Sequence, residues 1–158
     1  MQKQMNFNYQ EFNSISELNL DDQELLSKAF LATKNSYSPY SNFKVGACAR
    51  LSNGEILSGA NLENASFGVC LCAERTLLAN LAMTYPNEHI VTIAITYDSN
   101  NNDHPISPCG ICRQALFEHE SLFKSPMQII LAGKSGKVFI ISGVGALLPL
   151  GFAKGELV

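Results

Sequence analysis

The chain has 158 residues, 46% hydrophobic and 16% charged, with a net charge of −3. That length suits a single domain over residues 1–158 with a sizeable core, and that composition excludes a disordered chain. A pI near 5.6 lacks the basic excess that grips phosphate backbones, so nucleic acid is not an expected partner.

Residues 1–19 are polar and acid-bearing, with no apolar stretch resembling an export signal. Residues 21–35 carry Leu25, Leu26, Ala29, Phe30 and Ala32 at helical spacing, with Asp21 and Asp22 at the positive end. Tyr-Ser-Pro-Tyr-Ser-Asn-Phe over 37–43 is loop chemistry. Residues 45–51 and 55–60 flank Ser52-Asn53-Gly54, a hairpin signal. A helix is predicted from Cys72 that stops before Pro86, and residues 90–97 read as a buried β-branched strand. A polar loop over 100–107 leads through Pro108-Cys109 into a helix over 112–123. Strands over 127–132 and 137–141 follow, around Gly133–Gly136. This order implies an α/β fold, a three-layer α/β/α domain with a mixed five-stranded sheet. The uncharged run 138–153 is broken by Gly143, Gly145, Pro149 and Gly151. It falls short of the roughly 18 residues a membrane span needs, so it reads as strand, turn and docking tail. No membrane partner is expected. Five cysteines without an export signal suggest reduced thiols or metal ligands in a cytoplasmic protein.

The chemistry concentrates in Cys72-Ala-Glu-Arg75 and Pro108-Cys-Gly-Ile-Cys112. Cys72, Cys109 and Cys112 each sit where a loop should enter a helix, an electropositive setting that favours thiolate. The Cys-x-x-Cys spacing lets two sulfurs reach one ion from a single turn. Three protein ligands leave a fourth position open, the mark of a catalytic zinc site, and Glu74 stands by to move protons. Three thiolates around Zn²⁺ leave a net charge near −1, which Arg75 can offset from outside the ligand shell. The competing reading is a closed structural site, for which His104 is the only nearby fourth ligand. Cys48 and Cys70 read as buried small hydrophobes, and Arg113 and Gln114 as helix braces.

These motifs resemble those of the small three-cysteine zinc enzymes of the cytidine deaminase family. The resemblance runs from Tyr37 to Phe152, through Tyr37-Ser-Pro-Tyr-Ser-Asn-Phe-Lys-Val-Gly46, Gly59-Ala-Asn-Leu-Glu-Asn-Ala-Ser66, the two cysteine motifs with Ser107 and Gln114, and Leu147-Leu-Pro-Leu-Gly-Phe152. It implies one Zn²⁺ per subunit on Cys72, Cys109 and Cys112, and hydrolysis of cytidine and 2′-deoxycytidine to uridine and deoxyuridine with loss of ammonia. Glu74 would shuttle protons while hydroxide attacks C4. It further implies sugar contacts from Asn61 and Glu63, a base pocket lined by Phe43, and base-edge contacts from the main chain near Ala73 and Ser107. A homotetramer is implied, in which Phe152 completes a neighbour's pocket. Leu62, Cys48, Cys70 and Ala146 depart from the usual residues, and none touches the ligand set. Two other readings remain open on sequence: deamination of another cytosine nucleoside such as blasticidin S, and a non-catalytic module in which zinc only supports folding.

Overall fold

A computed structural model of the chain describes residues 1–99 and 103–157. The helix predicted over 21–35 forms as α1 (Leu20–Ala32) followed by a 3₁₀ turn, Thr33–Asn35. Asn19 caps it by accepting the Asp22 N–H through Oδ1 at 2.9 Å. The hairpin forms as β2 (Lys44–Leu51) and β3 (Ile56–Ala60), with Gly54 at φ +86° supplying the turn. Then follow α2 (Ala73–Thr84), β4 (Ile90–Asp98), α3 (Gly110–Phe123), β5 (Gln128–Ala132) and β6 (Val138–Ser142). Of the loop predicted over 100–107, residues 100–102 lie outside the described residues.

The sheet has six strands, not five. Gln10–Phe12 forms an additional edge strand, β1, antiparallel to β6 with Gln10 opposite Ile140. Three mostly exposed residues carry no alternation to read, so β1 exists because β6 offers it an unpaired edge. The sheet order is β1-β6-β5-β4-β2-β3, with β4 and β5 the one parallel pair among the described strands.

Period-2 alternation splits the central strands between two cores. Ala47, Ala49, Ile93, Ile95, Ile129 and Leu131 face α2 and α3 through Leu77, Leu81 and Leu116. Cys48, Ala94, Ile130 and Ala132 face α1 through Leu25, Leu26 and Ala29. Both faces of the sheet are therefore covered, which gives the expected three layers. Each fully buried Leu or Ile contributes about 1.5–3 kcal/mol. Glycine lets α2 approach closely: a Cβ on Gly59 would fall on the Ala73 carbonyl and lie 2.6 Å from the Leu77 nitrogen. The start of α2 is thereby seated against β3, and the start of α2 carries the chemistry. No helix among the described residues is long and apolar enough to cross a membrane.

Candidate metal centre and active site

Cys72 is the N-cap of α2 and Cys109 the N-cap of α3, both with extended backbone. Cys112 lies in the first turn of α3, buried. The two helices meet N-terminus to N-terminus and bring the three sulfurs within 4.8 Å of one another. Cys72 Sγ is 3.8 Å from Cys109 Sγ, which is 3.5 Å from Cys112 Sγ. Tetrahedral coordination with Zn–S near 2.3 Å requires sulfurs about 3.8 Å apart, so the trio fits zinc as it stands. Among the described residues no His, Asp or Glu joins the cluster. His104 is not in the cluster; its ring stands edge-on to that of Tyr97, centroids 6.5 Å apart.

The thiols compete for one negative charge. Cys72 is lowered to about 6, chiefly by its hydrogen bond with Cys112, then by Cys109 and the charge of Arg75. Cys112 is pushed up by the same contact with Cys72 and by burial. Cys72 holds the charge because it is the less buried of the two and has the Arg75 charge beside it. A divalent cation removes the competition and favours thiolate at all three positions.

Glu74, at the second position of α2, is only 4% exposed. Burial pushes its carboxyl up, and the charge on Cys72 pushes the same way against opposing hydrogen bonds. Glu74 lines a cavity of about 610 Å³ together with Cys72, Cys109, Phe43, Asn61 and Glu63. A buried carboxyl with a raised pKa thus faces the same space as the metal cradle.

Phe43 stacks on Tyr97, ring centroids 5.2 Å apart at 24°, so its ring is fixed at the cavity wall. Asn61 is held at both ends of its amide. Its Oδ1 accepts the Val45 N–H at 2.8 Å and the Ser36 hydroxyl at 2.6 Å, and its Nδ2 donates to the Phe43 carbonyl at 2.9 Å. Glu63 accepts the Tyr40 and Ser41 N–H groups at 2.9 and 3.3 Å and the Ser41 hydroxyl. The hydroxyl bond, ahead of the two N–H bonds, keeps the Glu63 carboxyl below its usual range.

Ser107 also lines the cavity and accepts from Arg113 Nη2 at 2.9 Å. Ala73 is buried as the first residue of α2 and does not line the cavity with its side chain. Arg75 is half-buried and acts on Cys72 through charge. Phe152 lies outside this cavity, in a groove against the outer face of α3, with its carbonyl accepting from Gln114 Nε2 at 2.7 Å.

Sequence reasoning missed Tyr40, Ser41, Phe67 and Ile106 on the cavity wall. Tyr40 and Phe67 make an edge-on aromatic pair with centroids 5.8 Å apart. Isolated bridges from Leu62 to Tyr37 and to Leu71 fold their two loops together, and no local pattern announces such a meeting. Arg113 proves to be the expected brace, donating to the Pro108 carbonyl at 2.8 Å and the Leu147 carbonyl at 3.0 Å. Cys48 is buried as expected. Cys70 is not: it is half-buried on the cavity wall, where its sulfur accepts the Asn64 N–H at 3.2 Å.

Comparison with known proteins agrees with this geometry. Residues 20–122, which include all three cysteines and Glu74, match the family model described as the cytidine and deoxycytidylate deaminase zinc-binding region. A cytidine deaminase of Halalkalibacterium halodurans is 36% identical over 138 residues, 87% of this chain and 98% of that protein. One from Mycoplasma genitalium is 37% identical over 82% of this chain and 94% of its own length. The crystal structure of cytidine deaminase from Burkholderia pseudomallei superposes with a TM-score of 0.71 at 38% identity, covering 82% of this chain and 97% of that one. That from Mycobacterium tuberculosis gives 0.67 at 30%, covering 85% and 98%. A zinc-shaped thiolate trio at two helix starts and relatives matched over nearly their whole length agree: the chain belongs to the cytidine and deoxycytidylate deaminase family of zinc-dependent enzymes.

Proposed function

We propose that the protein hydrolyses cytidine and 2′-deoxycytidine to uridine and deoxyuridine, releasing ammonia. The observation that carries this reading is Glu74, buried with a raised pKa on the wall of the cavity that the sulfur trio also lines. Zinc held by Cys72, Cys109 and Cys112 supplies a Lewis acid that lets water act as a nucleophile near neutral pH. Glu74 takes a proton from the water that attacks C4 of cytosine and delivers it to N3. It then takes the remaining proton from the oxygen now bonded to C4 and passes it to the amino group, so that the C4–N bond breaks, ammonia leaves and the C4 carbonyl forms. Burial suits the shuttle, because a carboxyl with a raised pKa takes a proton from water more readily than an ordinary carboxylate and still passes it to a more basic nitrogen.

The sugar end of the cavity has matched chemistry. Asn61 retains one unused N–H donor and Glu63 retains acceptor capacity after their internal bonds. A donor beside an acceptor suits sugar hydroxyls, which offer both. Phe43, on the cavity wall, supplies an apolar face for the pyrimidine, and the main chain near Ala73 and Ser107 reads the base edge in this proposal. Charge narrows the substrate class further. The cavity is lined by two carboxylates, Glu63 and Glu74, and among its described lining residues by no Lys or Arg. A 5′-phosphate would find like charge and no partner there, which favours the free nucleoside over the nucleotide or a polynucleotide. The active assembly is a homotetramer in which Phe152 reaches a neighbouring cavity.

Loss of ultraviolet absorbance as cytidine becomes uridine provides the assay. Zinc-loaded protein should turn over cytidine and deoxycytidine, and CMP at least about a hundredfold more slowly. Glu74→Gln should fold, keep its zinc and lose about a thousandfold in kcat. An inert response to both nucleosides, or undiminished turnover by the Gln variant, would overturn the reading.

A further inference from the structure

Ser41 sits in a turn that neither the cysteine motifs nor the sugar contacts explain. Asn42 has φ +56°, a left-handed conformation that Asn tolerates better than most residues, and its N–H donates to the Ser38 carbonyl at 3.0 Å. This reversal brings the Phe43 N–H onto the Ser41 hydroxyl at 3.0 Å. The same hydroxyl donates to Glu63 Oε1, while the Ser41 and Tyr40 N–H groups donate to Oε2. Ser41 therefore touches, through one oxygen and one nitrogen, both the carboxylate proposed to bind the sugar and the backbone of the ring proposed to flank the base.

We infer that Ser41 is a positioning residue for sugar recognition, fixing the Glu63 carboxylate so that its remaining acceptor site meets the nucleoside. A carboxylate has roughly four acceptor sites, and the turn fills three of them. With those three bonds in place the carboxylate has one orientation to offer and one site to spend on substrate. Without the hydroxyl, Oε1 is released and the side chain is free to swing. The setting makes this matter, since Glu63 is only partly buried on the cavity wall and the bonds from the turn are what hold its carboxylate. Ser41 acts only through Glu63, so its role rests on Glu63 being the sugar contact proposed above.

The test is a double-mutant cycle on the zinc-loaded protein, with cytidine and 2′,3′-dideoxycytidine as substrates. Glu63→Ala should raise KM for cytidine by at least about tenfold. Ser41→Ala should raise it about tenfold with kcat within twofold, and Ser41→Thr, which keeps the hydroxyl, should restore it. Both alanine variants should narrow the preference for cytidine over the dideoxy compound, a change that a general loosening of the loop would not produce. In the Glu63→Ala background, Ser41→Ala should change KM by less than about twofold. If Glu63→Ala raises KM and Ser41→Ala does not, the role of Ser41 falls and the sugar contact stands. If the two effects add in full, Ser41 works through Phe43 and the inference is overturned. If Glu63→Ala leaves KM unchanged, the sugar contact falls and takes the role of Ser41 with it. Should Ser41→Ala prove unstable, Ser41→Cys keeps the volume without a strong donor and should reproduce the KM shift.

Discussion

Arg75 poses the sharpest question at the scale of single residues. Three thiolates leave a zinc site with surplus negative charge, which weakens its pull on a water's proton. The hydrogen bond from Cys112 does most to hold Cys72 low, and the Arg75 charge adds to it from outside the ligand set. Its guanidinium is half-buried beside the cluster, where its charge is screened less than on open surface. Arg75→Ala should therefore keep one zinc per chain by elemental analysis and lose about tenfold in kcat, as outlying partners of metal ligands commonly do. Unchanged kcat in the metal-replete variant would remove Arg75 from the machinery. Arg75→Lys should fall between the two, since a point charge survives without the planar fork.

At the scale of elements, the seat of α2 on β3 decides whether the site exists. Any side chain at Gly59 collides with the Ala73 carbonyl and crowds the Leu77 amide, both backbone groups that cannot swing aside. Gly59→Ala should cost about 1–3 kcal/mol of stability as overpacking, measured by chemical denaturation. It should also weaken zinc retention against a chelator, because α2 carries Cys72. Gly68→Ala, with open space at its Cβ, should change neither. The same elements show what a sequence discloses. α1, α2, the hairpin and β4 were legible because their apolar or β-branched patterning is local and several of their ends carry a signal, Asp21 and Asp22 for α1, Gly54 for the hairpin and Cys72 for α2. Cys72, Cys109 and Cys112 were legible because spacing alone puts two sulfurs on one turn. β1 was not, since its three residues become a strand only when β6 is there to pair with. Nor were Ser41 and Tyr40, whose importance comes from Glu63, more than twenty residues on in the chain.

At the scale of the whole molecule, the tail leaves a question that one chain cannot answer. Phe152 is 55% exposed, and Ile111 and Leu157 in the same groove are more exposed still. Apolar side chains gathered around one groove are costly to leave wet. The ring also lies away from its own cavity, as it should if it serves another subunit. Light scattering should give a mass near four times the 17.2 kDa chain. Phe152→Ala should raise KM about tenfold, as loss of a buried aromatic contact does. Complementation then separates service between subunits from service within one. At low cytidine, chains carrying Glu74→Gln are nearly inactive alone, and chains carrying Phe152→Ala keep about a tenth of wild-type activity. Unfolded together and reassembled, they should regain roughly a quarter of wild-type activity, the share of sites pairing an intact Glu74 with a neighbour's intact Phe152 in a symmetric assembly. If Phe152 acts within its own chain, every mixed site lacks one of the two groups and nothing is regained, whatever the mass of the particle.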